Sequence, residues 1–378
     1  MKVGIISIHS APYKDSIYSV LSKKNGIELS VFTLYSKSKT HDEWKKTNKL
    51  PYINTYSSKV LRLPFFGDYH RDALKFIKNG EFDVVLINGY YPLTCFSILR
   101  YLRRKKIKYV YSADTVASKP GILAAIKRRI MRSYINDAIS LWVPGKKSLD
   151  YHMNTLRLDR TKIYTGSYTF DNQAIHEIIE KNKHEFLKVR ESVGISETSF
   201  LFLFVGKLIK KRNVKKLIEA FNEIIKLNNN VELLIIGDGE ENDYVIKSKS
   251  LNNNIHHIER VDFDGLHKYY SIANCYVHPG IEPFSLALVE GSIAGLPIIS
   301  SYEVGAAMDV LADGENGYVL HFNTTDELKN KMELVINNKF SRDAVSSISS
   351  ELINYRGHKW AASQLAQALR SNEDVYKK

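Results

Sequence analysis

Residues 275–301 read CYVHPGIEPFSLALVEGSIAGLPIISS. The apolar run at 275–278 predicts a short buried strand, and Pro279 and Gly280 open a loop. A helix is expected from about Phe284 until Gly295, where Gly-Leu-Pro stops it, and a second apolar strand follows at 297–299. Two acids mark this unit: Glu282 in the loop, and Glu290 about two turns into the helix. One carboxylate meets a ligand at the helix mouth while the other reaches it from the side.

The first amides of that helix, at Ser285, Leu286 and Ala287, have no acceptor in the helix itself, and with the positive end of its dipole they form an anion site. Carboxylates accept hydrogen bonds from sugar hydroxyls and amides hold phosphate, so the set suits a ligand with both, such as a nucleotide sugar. Read alone, the same acids also fit an ordinary loop residue and a solvated helix residue. The remainder of the chain decides between these readings.

Outward from this stretch, strand-like and helix-like segments alternate along the chain, the pattern of βαβ units and parallel sheets. Strands are expected at 3–8, 29–34, 84–87, 109–112, 138–143 and 162–165, then at 200–205, 231–236, 255–258 and 319–321. A helix is expected from about Asp15, and others at 122–135, just after Arg212, and at 360–370. Residues 36–70 are polar and aromatic without a clear period and read as a long connection. The 378 residues are too many for one typical core and fit two domains. The expected division is 1–170, a connection at 171–196, a second domain at 197–355, and a C-terminal helix at 356–378 crossing back to the first. The fold class is α/β, two Rossmann-like domains facing a central cleft.

The net charge is +13, and the excess is concentrated: eleven Lys or Arg and a single acid, Asp114, lie between Arg100 and Arg132. That implies an acidic partner. The segment ILAAIKRRIMRSYI at 122–135 joins an apolar helical stripe to Lys127, Arg128, Arg129 and Arg132, which suits an anionic membrane surface or the solvated face of a domain helix. No nucleic-acid motif accompanies the charge, so nucleic acid is not an expected partner. No apolar run approaches a membrane span, and the N-terminus enters a strand without a leader-like apolar region. Cys95 and Cys275 read as separate buried thiols of a reducing compartment. A cytoplasmic protein, peripheral on the inner face of the membrane, is expected.

Ligands of open α/β sheets sit beyond the carboxyl ends of the strands. In the first half this makes His9, Tyr13, Tyr90 and Asp114 candidates for an acceptor or sugar side; the alternatives are helix caps and surface aromatics. In the second half FLFLFV (200–205) ends at Gly206 and runs directly into Lys207, Lys210, Lys211 and Arg212, cations well placed for a diphosphate. Gly237-Asp238-Gly239 falls short of a dinucleotide fingerprint. Asp262-Phe263-Asp264 reads as a turn with a helix cap, and no metal site is expected.

These segments together resemble the retaining GT-B glycosyltransferases of family 4, also called group 1. The carrying motifs are Glu282-Pro283-Phe284-Ser285 through Glu290-Gly291 to Gly295-Leu296-Pro297, FVGKLIKKRNVKKLIEAF (204–221), IIGDGE (235–240), GLHKYYSIANCYVHPG (265–280) and ADGENG (312–317). In the first half HSAPYKDSIYSVL, SADT (112–115) and YTFDN (168–172) are similar to polysaccharide-assembly members. The resemblance implies that the second domain holds the donor and the first the acceptor. It gives Glu290 to the ribose hydroxyls, Glu282 to the transferred sugar, and Lys207 with Arg212 to the diphosphate, so that Glu282, Lys207 and Arg212 are the catalytic set. Gly206, Phe284, Ser285 and Leu286 complete the donor site. No cofactor is required, and a UDP-sugar is favoured over a GDP-sugar. The activity it implies is retaining transfer of a hexose or N-acetylhexosamine to a lipid-linked or oligosaccharide acceptor in surface polysaccharide synthesis. A non-catalytic sugar-nucleotide-binding subunit and a GT-B epimerase are the alternatives. The chain departs from the family pattern where Lys207 stands for Arg, Arg212 for Lys, Asn213 for Gly and Ser285 for Gly, and where its first loop has His9-Ser10-Ala11-Pro12 in place of the paired glycines of many members. Asp114 stands about where many members have His.

Overall fold

The central parallel strands of this chain, such as 84–87 and 200–205, are nearly continuous runs of Val, Ile, Leu and Phe, as strands covered on both faces must be. In the computed structural model, which describes residues 1–35, 50–58, 60–62, 67–89, 91–116, 121–338, 340–353 and 357–371, they build two α/β units. Unit 1 comprises Met1–Asp171 with Arg356–Lys378, and unit 2 comprises Asn172–Tyr355.

Unit 1 contains β1 (Lys2–His9), α1 (Pro12–Ser22), β2 (Glu28–Tyr35), β3 (Ile53–Tyr56), β4 (Val60–Leu61), β5 (Tyr69–His70), α2 (Arg71–Asn79), β6 (Val84–Asn88), α3 (Leu93–Lys105), β7 (Lys108–Ser112), α4 (Ile122–Asp137), β8 (Ser140–Val143), α5 (Lys146–Asn154) and β9 (Ile163–Thr165). Its seven-stranded sheet runs β3-β2-β1-β6-β7-β8-β9, and β4 and β5 form a separate antiparallel pair. Every described pairing within the seven-stranded sheet is parallel.

Two expectations shift here. The 36–70 stretch is more than a connection, since β3 extends the sheet edge and β4 and β5 follow it; residues 36–49 lie outside the described residues. A four-residue edge strand, INTY, is half exposed and too short for its period to stand out. Helix α1 begins at Pro12, ahead of Asp15, because proline at the first helical position loses only an amide that would be orphaned anyway.

Unit 2 contains α6 (Asn172–Lys183), α7 (Phe186–Ser192), β10 (Phe200–Val205), α8 (Val214–Ile225), β11 (Val231–Ile236), α9 (Asn242–Leu251), β12 (Ile255–Ile258), α10 (Phe263–Ile272), β13 (Cys275–His278), α11 (Leu286–Ile293), β14 (Ile298–Ser301), α12 (Ala307–Val310), β15 (Gly317–Leu320), α13 (Thr325–Asn337) and α14 (Arg342–Ile353). The six-stranded sheet runs β12-β11-β10-β13-β14-β15, all parallel. Helix α8 buries Val214, Leu217, Ile218, Phe221 and Ile224, one stripe at helical spacing, against Phe202, Phe204 and Leu233. Each such side chain contributes roughly 1.5–3 kcal/mol on leaving water. Helices α6 and α7, in the 171–196 stretch, pack onto α10.

The last helix, α15 (His358–Arg370), belongs to unit 1. Its small residues Ala361, Ala362 and Ala368 let it approach closely, and Leu365 and Leu369 enter the core with Val3, Ile5 and Ile17. Ser140 Oγ donates to the Ala368 carbonyl at 2.8 Å and ties the helix to β8. Among the described residues no helix is long and apolar enough to cross a membrane.

In both sheets the strand order reverses beside the first strand of the unit, between β1 and β6 and between β10 and β13. Ligand crevices of open parallel sheets open at the carboxyl ends of such strands.

Candidate functional site

Two loops leave the sheet of unit 2 at its switch point: residues 206–213 after β10 and residues 279–285 after β13. They clasp one another through the backbone. The Ile281 amide donates to the Lys211 carbonyl at 2.8 Å, and Asn213 Nδ2 donates to the Pro279 carbonyl at 2.9 Å. Gly280 is demanded by the contact, since a Cβ there would stand 2.6 Å from Arg212 Cα and 2.8 Å from the Lys211 carbonyl oxygen. Asn213, in place of glycine, has φ of +55°, a left-handed conformation that asparagine tolerates better than most residues.

The clasp carries the Arg212 guanidinium onto Glu282, to which both terminal nitrogens bind. His278, the last residue of β13, is 1 % exposed and completes the cluster. Its Nδ1 accepts from the Gly280 amide at 3.2 Å, so in the neutral ring Nε2 carries the proton and donates to Glu282 Oε2 at 3.1 Å. Burial pushes the Glu282 carboxyl up. The His278 hydrogen bond and the Arg212 charge outweigh it and hold the group below the usual carboxylate range. Arg212 Nε is buried and has no partner among the described residues. Lys207 is half-buried and Lys210 and Lys211 are exposed; among the described residues Lys207 forms no ion pair.

Helix α11 starts two residues later than Phe284. Ser285 is its N-cap, its Oγ accepting from the Leu288 amide at 3.3 Å. The amides of Leu286 and Ala287 are among the orphaned donors of the first turn. Ser285 has φ of +149°, backbone that favours glycine and strains a residue with a side chain. A third loop backs the site, with the Gly305 amide donating to the Glu282 carbonyl at 2.9 Å. Gly305 has no room for a Cβ, which would lie 1.8 Å from the Pro283 carbonyl oxygen.

Glu290 is not on an open flank. It is 3 % exposed between α10 and α11, where Tyr270 Oη donates to Oε2 at 2.9 Å and His267 Nε2 lies 3.4 Å from Oε1. Burial, and then the Glu290 charge, raise the Tyr270 phenol well above its ordinary pKa, so it remains a donor at any physiological pH. The structure thus gathers Gly206, Lys207, Arg212, Glu282, Phe284, Ser285 and Leu286 at the mouth of the unit 2 sheet, with Glu290 behind α11.

In unit 1, His9 ends β1 and its carbonyl accepts from Ser7 Oγ at 2.9 Å. Tyr13 is 2 % exposed and is therefore a packing residue more than a surface aromatic; its ring stacks on Tyr168 at 5.0 Å and meets Phe170 edge-on. Asp114 is exposed after β7 and accepts from Tyr168 Oη at 3.4 Å. Tyr90 lies outside the described residues. Asp262 stands at the N-cap position of α10, and among the described residues no group of His, Cys, Asp and Glu is disposed to hold a metal ion.

Sequence reasoning missed His278, His267 and Tyr270. His278 was readable as the only polar member of its strand, placed at the carboxyl end directly before Pro-Gly. His267 and Tyr270 carry a weaker signal, three residues apart on one helix face.

With this geometry in view, residues 185–351 match the sequence profile of the family described as glycosyl transferases group 1. The alpha-monoglucosyldiacylglycerol synthase of Acholeplasma laidlawii is 26% identical over 359 residues, 87% of this chain and 86% of that protein. Two further matches cover less than half of the chain. The chain spans 45% of an uncharacterized glycosyltransferase of Methanocaldococcus jannaschii, at 26% identity over 180 residues that make up 47% of this chain. It spans 39% of the capsular polysaccharide biosynthesis glycosyltransferase CapM of Staphylococcus aureus, at 28% identity over 39% of this chain. Among solved structures, HepE of Anabaena in complex with UDP superposes with a TM-score of 0.71 at 16% identity, covering 98% of this chain and 100% of that one. At that identity the likeness is one of fold.

Proposed function

The chain belongs to the group 1 glycosyl transferases, and from that premise we propose that it is a retaining enzyme. In this reading it moves a hexose or N-acetylhexosamine from a nucleotide sugar to a lipid-linked or oligosaccharide acceptor in surface polysaccharide synthesis. The observation that carries the reading is the clasp of the two loops of unit 2, which brings Arg212 onto Glu282 at the sheet's switch point.

Glu282, kept ionised, accepts hydrogen bonds from hydroxyls of the transferred sugar. The charges of Lys207 and Arg212 act on the diphosphate, together with the Leu286 and Ala287 amides and the Gly206 turn. When the bond from the sugar's anomeric carbon to the diphosphate breaks, negative charge grows on the leaving oxygen. These fixed cations and amides stabilise it without reorganising. Glu290, positioned by Tyr270, takes the ribose hydroxyls from behind α11, and Phe284 and Ser285 shape the mouth of the site. The donor is a UDP-sugar in preference to a GDP-sugar, a choice supported by the UDP-bound state of the HepE structure. No cofactor enters this scheme.

A lipid-linked acceptor is supported by the Acholeplasma relative, an alpha-monoglucosyldiacylglycerol synthase, and by the outer face of α4. There Ile126 and Ile130 are 52 % and 48 % exposed and lie among the exposed Arg129 and Arg132. An apolar pair flanked by cations suits an anionic bilayer at its polar boundary, on the inner face of the membrane of a cytoplasmic, peripheral enzyme.

The test is transfer of labelled sugar from UDP- and GDP-sugars to bacterial lipid extracts in vesicles with and without anionic lipid, with the anomeric configuration of product read by NMR. Wild type transfers with retention and faster on anionic vesicles at low salt. Glu282→Gln, folded by circular dichroism, loses on the order of a hundredfold or more in rate, the scale of losing a charged group that acts on the transition state. Full activity in that variant, or an inverted product, overturns the reading.

A further inference from the structure

Unit 1 has a switch point of its own, and a lysine occupies it. Strands β2 and β3 lie on one side of β1 and β6 to β9 on the other, so a ligand crevice is expected at the carboxyl ends of β1 and β6. Lys14, in the first turn of α1, turns its side chain back to this edge. Its Nζ lies 3.4 Å from Ser7 Oγ and 3.4 Å from the His9 carbonyl oxygen, and 5.8 Å from the centroid of the Tyr13 ring. All of these partners are uncharged, and among the described residues Lys14 forms no ion pair.

Two carboxylates act on it through space, Asp15 on its own helix and Asp114 beyond β7. Asp15 is engaged elsewhere, accepting from Tyr52 Oη at 2.9 Å and from Ser10 Oγ at 3.3 Å. Asp114 is exposed and held by Tyr168 Oη. Burial of the ammonium outweighs both acids and brings the Lys14 pKa down to about 8. At neutral pH the edge of unit 1 therefore holds a cation that is charged but under-compensated. Such a group gains most from an anion brought into the same sheltered place, where charge-assisted hydrogen bonds are strong.

We propose that Lys14 is the anion-recognising group of a binding site at the carboxyl edge of unit 1, and that the acceptor bound there carries a negative charge beside a sugar. The charge is a sugar carboxylate or a lipid-linked diphosphate, both of which present oxygens to an ammonium. Asp114, exposed on the same edge, accepts hydroxyls of the sugar next to the anion. This deepens the transferase reading and rests on unit 1 being the acceptor side.

The experiment is residue-resolved amine modification of the full chain, read by mass spectrometry, at a series of pH values on either side of 8. The probes are methyl glucuronide, geranyl diphosphate and methyl glucoside. Modification tracks the free amine, so an anion that raises the Lys14 pKa by one unit slows its modification at pH 7 about tenfold. The account expects that slowing from one or both anionic probes and not from the neutral glucoside; the protecting arm identifies the source of the charge. Lys14→Arg keeps and Lys14→Met loses the binding of the protecting probe measured by calorimetry. Equal protection by methyl glucoside, protection by neither anion, or undiminished binding to Lys14→Met overturns the proposal. Lys207 is read in the same digests. Failure of UDP-glucose to protect Lys207 counts against the donor site alone.

Discussion

The Glu282 carboxylate stays ionised where burial alone would neutralise it, because Arg212 grips both oxygens and His278 donates to one of them. The sign of the resulting pH dependence follows. A carboxyl whose folded pKa lies below its unfolded value contributes stability above the unfolded value and loses it as the pH falls through the folded one. His278 acts through Glu282, and its ring orientation is fixed by the Gly280 amide. His278→Ala removes that donor and should lower kcat about tenfold or more with little change in the KM for acceptor. His278→Gln, which can present an amide N–H near the position of Nε2, should recover much of the loss. Because both residues act on one carboxylate, His278→Ala should add little to Glu282→Gln. Steady-state kinetics of the singles and the double check this, and additive losses would show that His278 works independently of Glu282.

At the scale of elements, the β13–loop–α11 unit was legible because its cues are local: a buried apolar strand, Pro-Gly, and a Gly-Leu-Pro stop. The loop after β10 was legible as a run of cations directly behind a strand. What joins them was not, since the contact between Gly280 and Arg212 spans distant parts of the chain and nothing in either segment's period encodes it. The inward turn of Glu290 was hidden for the same reason: Tyr270 and His267 come from another helix. Gly280→Ala tests the clasp. Its Cβ must push the 210–212 backbone away, so nucleotide-sugar affinity should fall about tenfold or more while the melting temperature moves by only a few degrees. Calorimetry and thermal unfolding on the same variant check it, and unchanged affinity would mean that the two loops need not touch.

Across the whole molecule, alternation of strands and helices announced two α/β units, and the long apolar runs announced parallel sheets buried on both faces. In the structure α15 lies with unit 1, its apolar stripe in that unit's core; the sequence suggested a C-terminal helix crossing back, but not which residues receive it. The strand reversals that create both switch points are facts of topology, invisible until the sheets are seen. They put the cations of unit 2, and Lys14 of unit 1, at carboxyl edges where anions bind. The most direct measurement is calorimetric binding of UDP-, GDP- and ADP-sugars to the full chain, beside Lys207→Gln and Arg212→Gln. Wild type should bind a UDP-sugar most tightly and both variants should lose about tenfold or more, the scale of a charge-assisted contact to phosphate. Binding of no nucleotide sugar by wild type, or binding undiminished in both variants, would contradict a diphosphate held by the 206–212 loop.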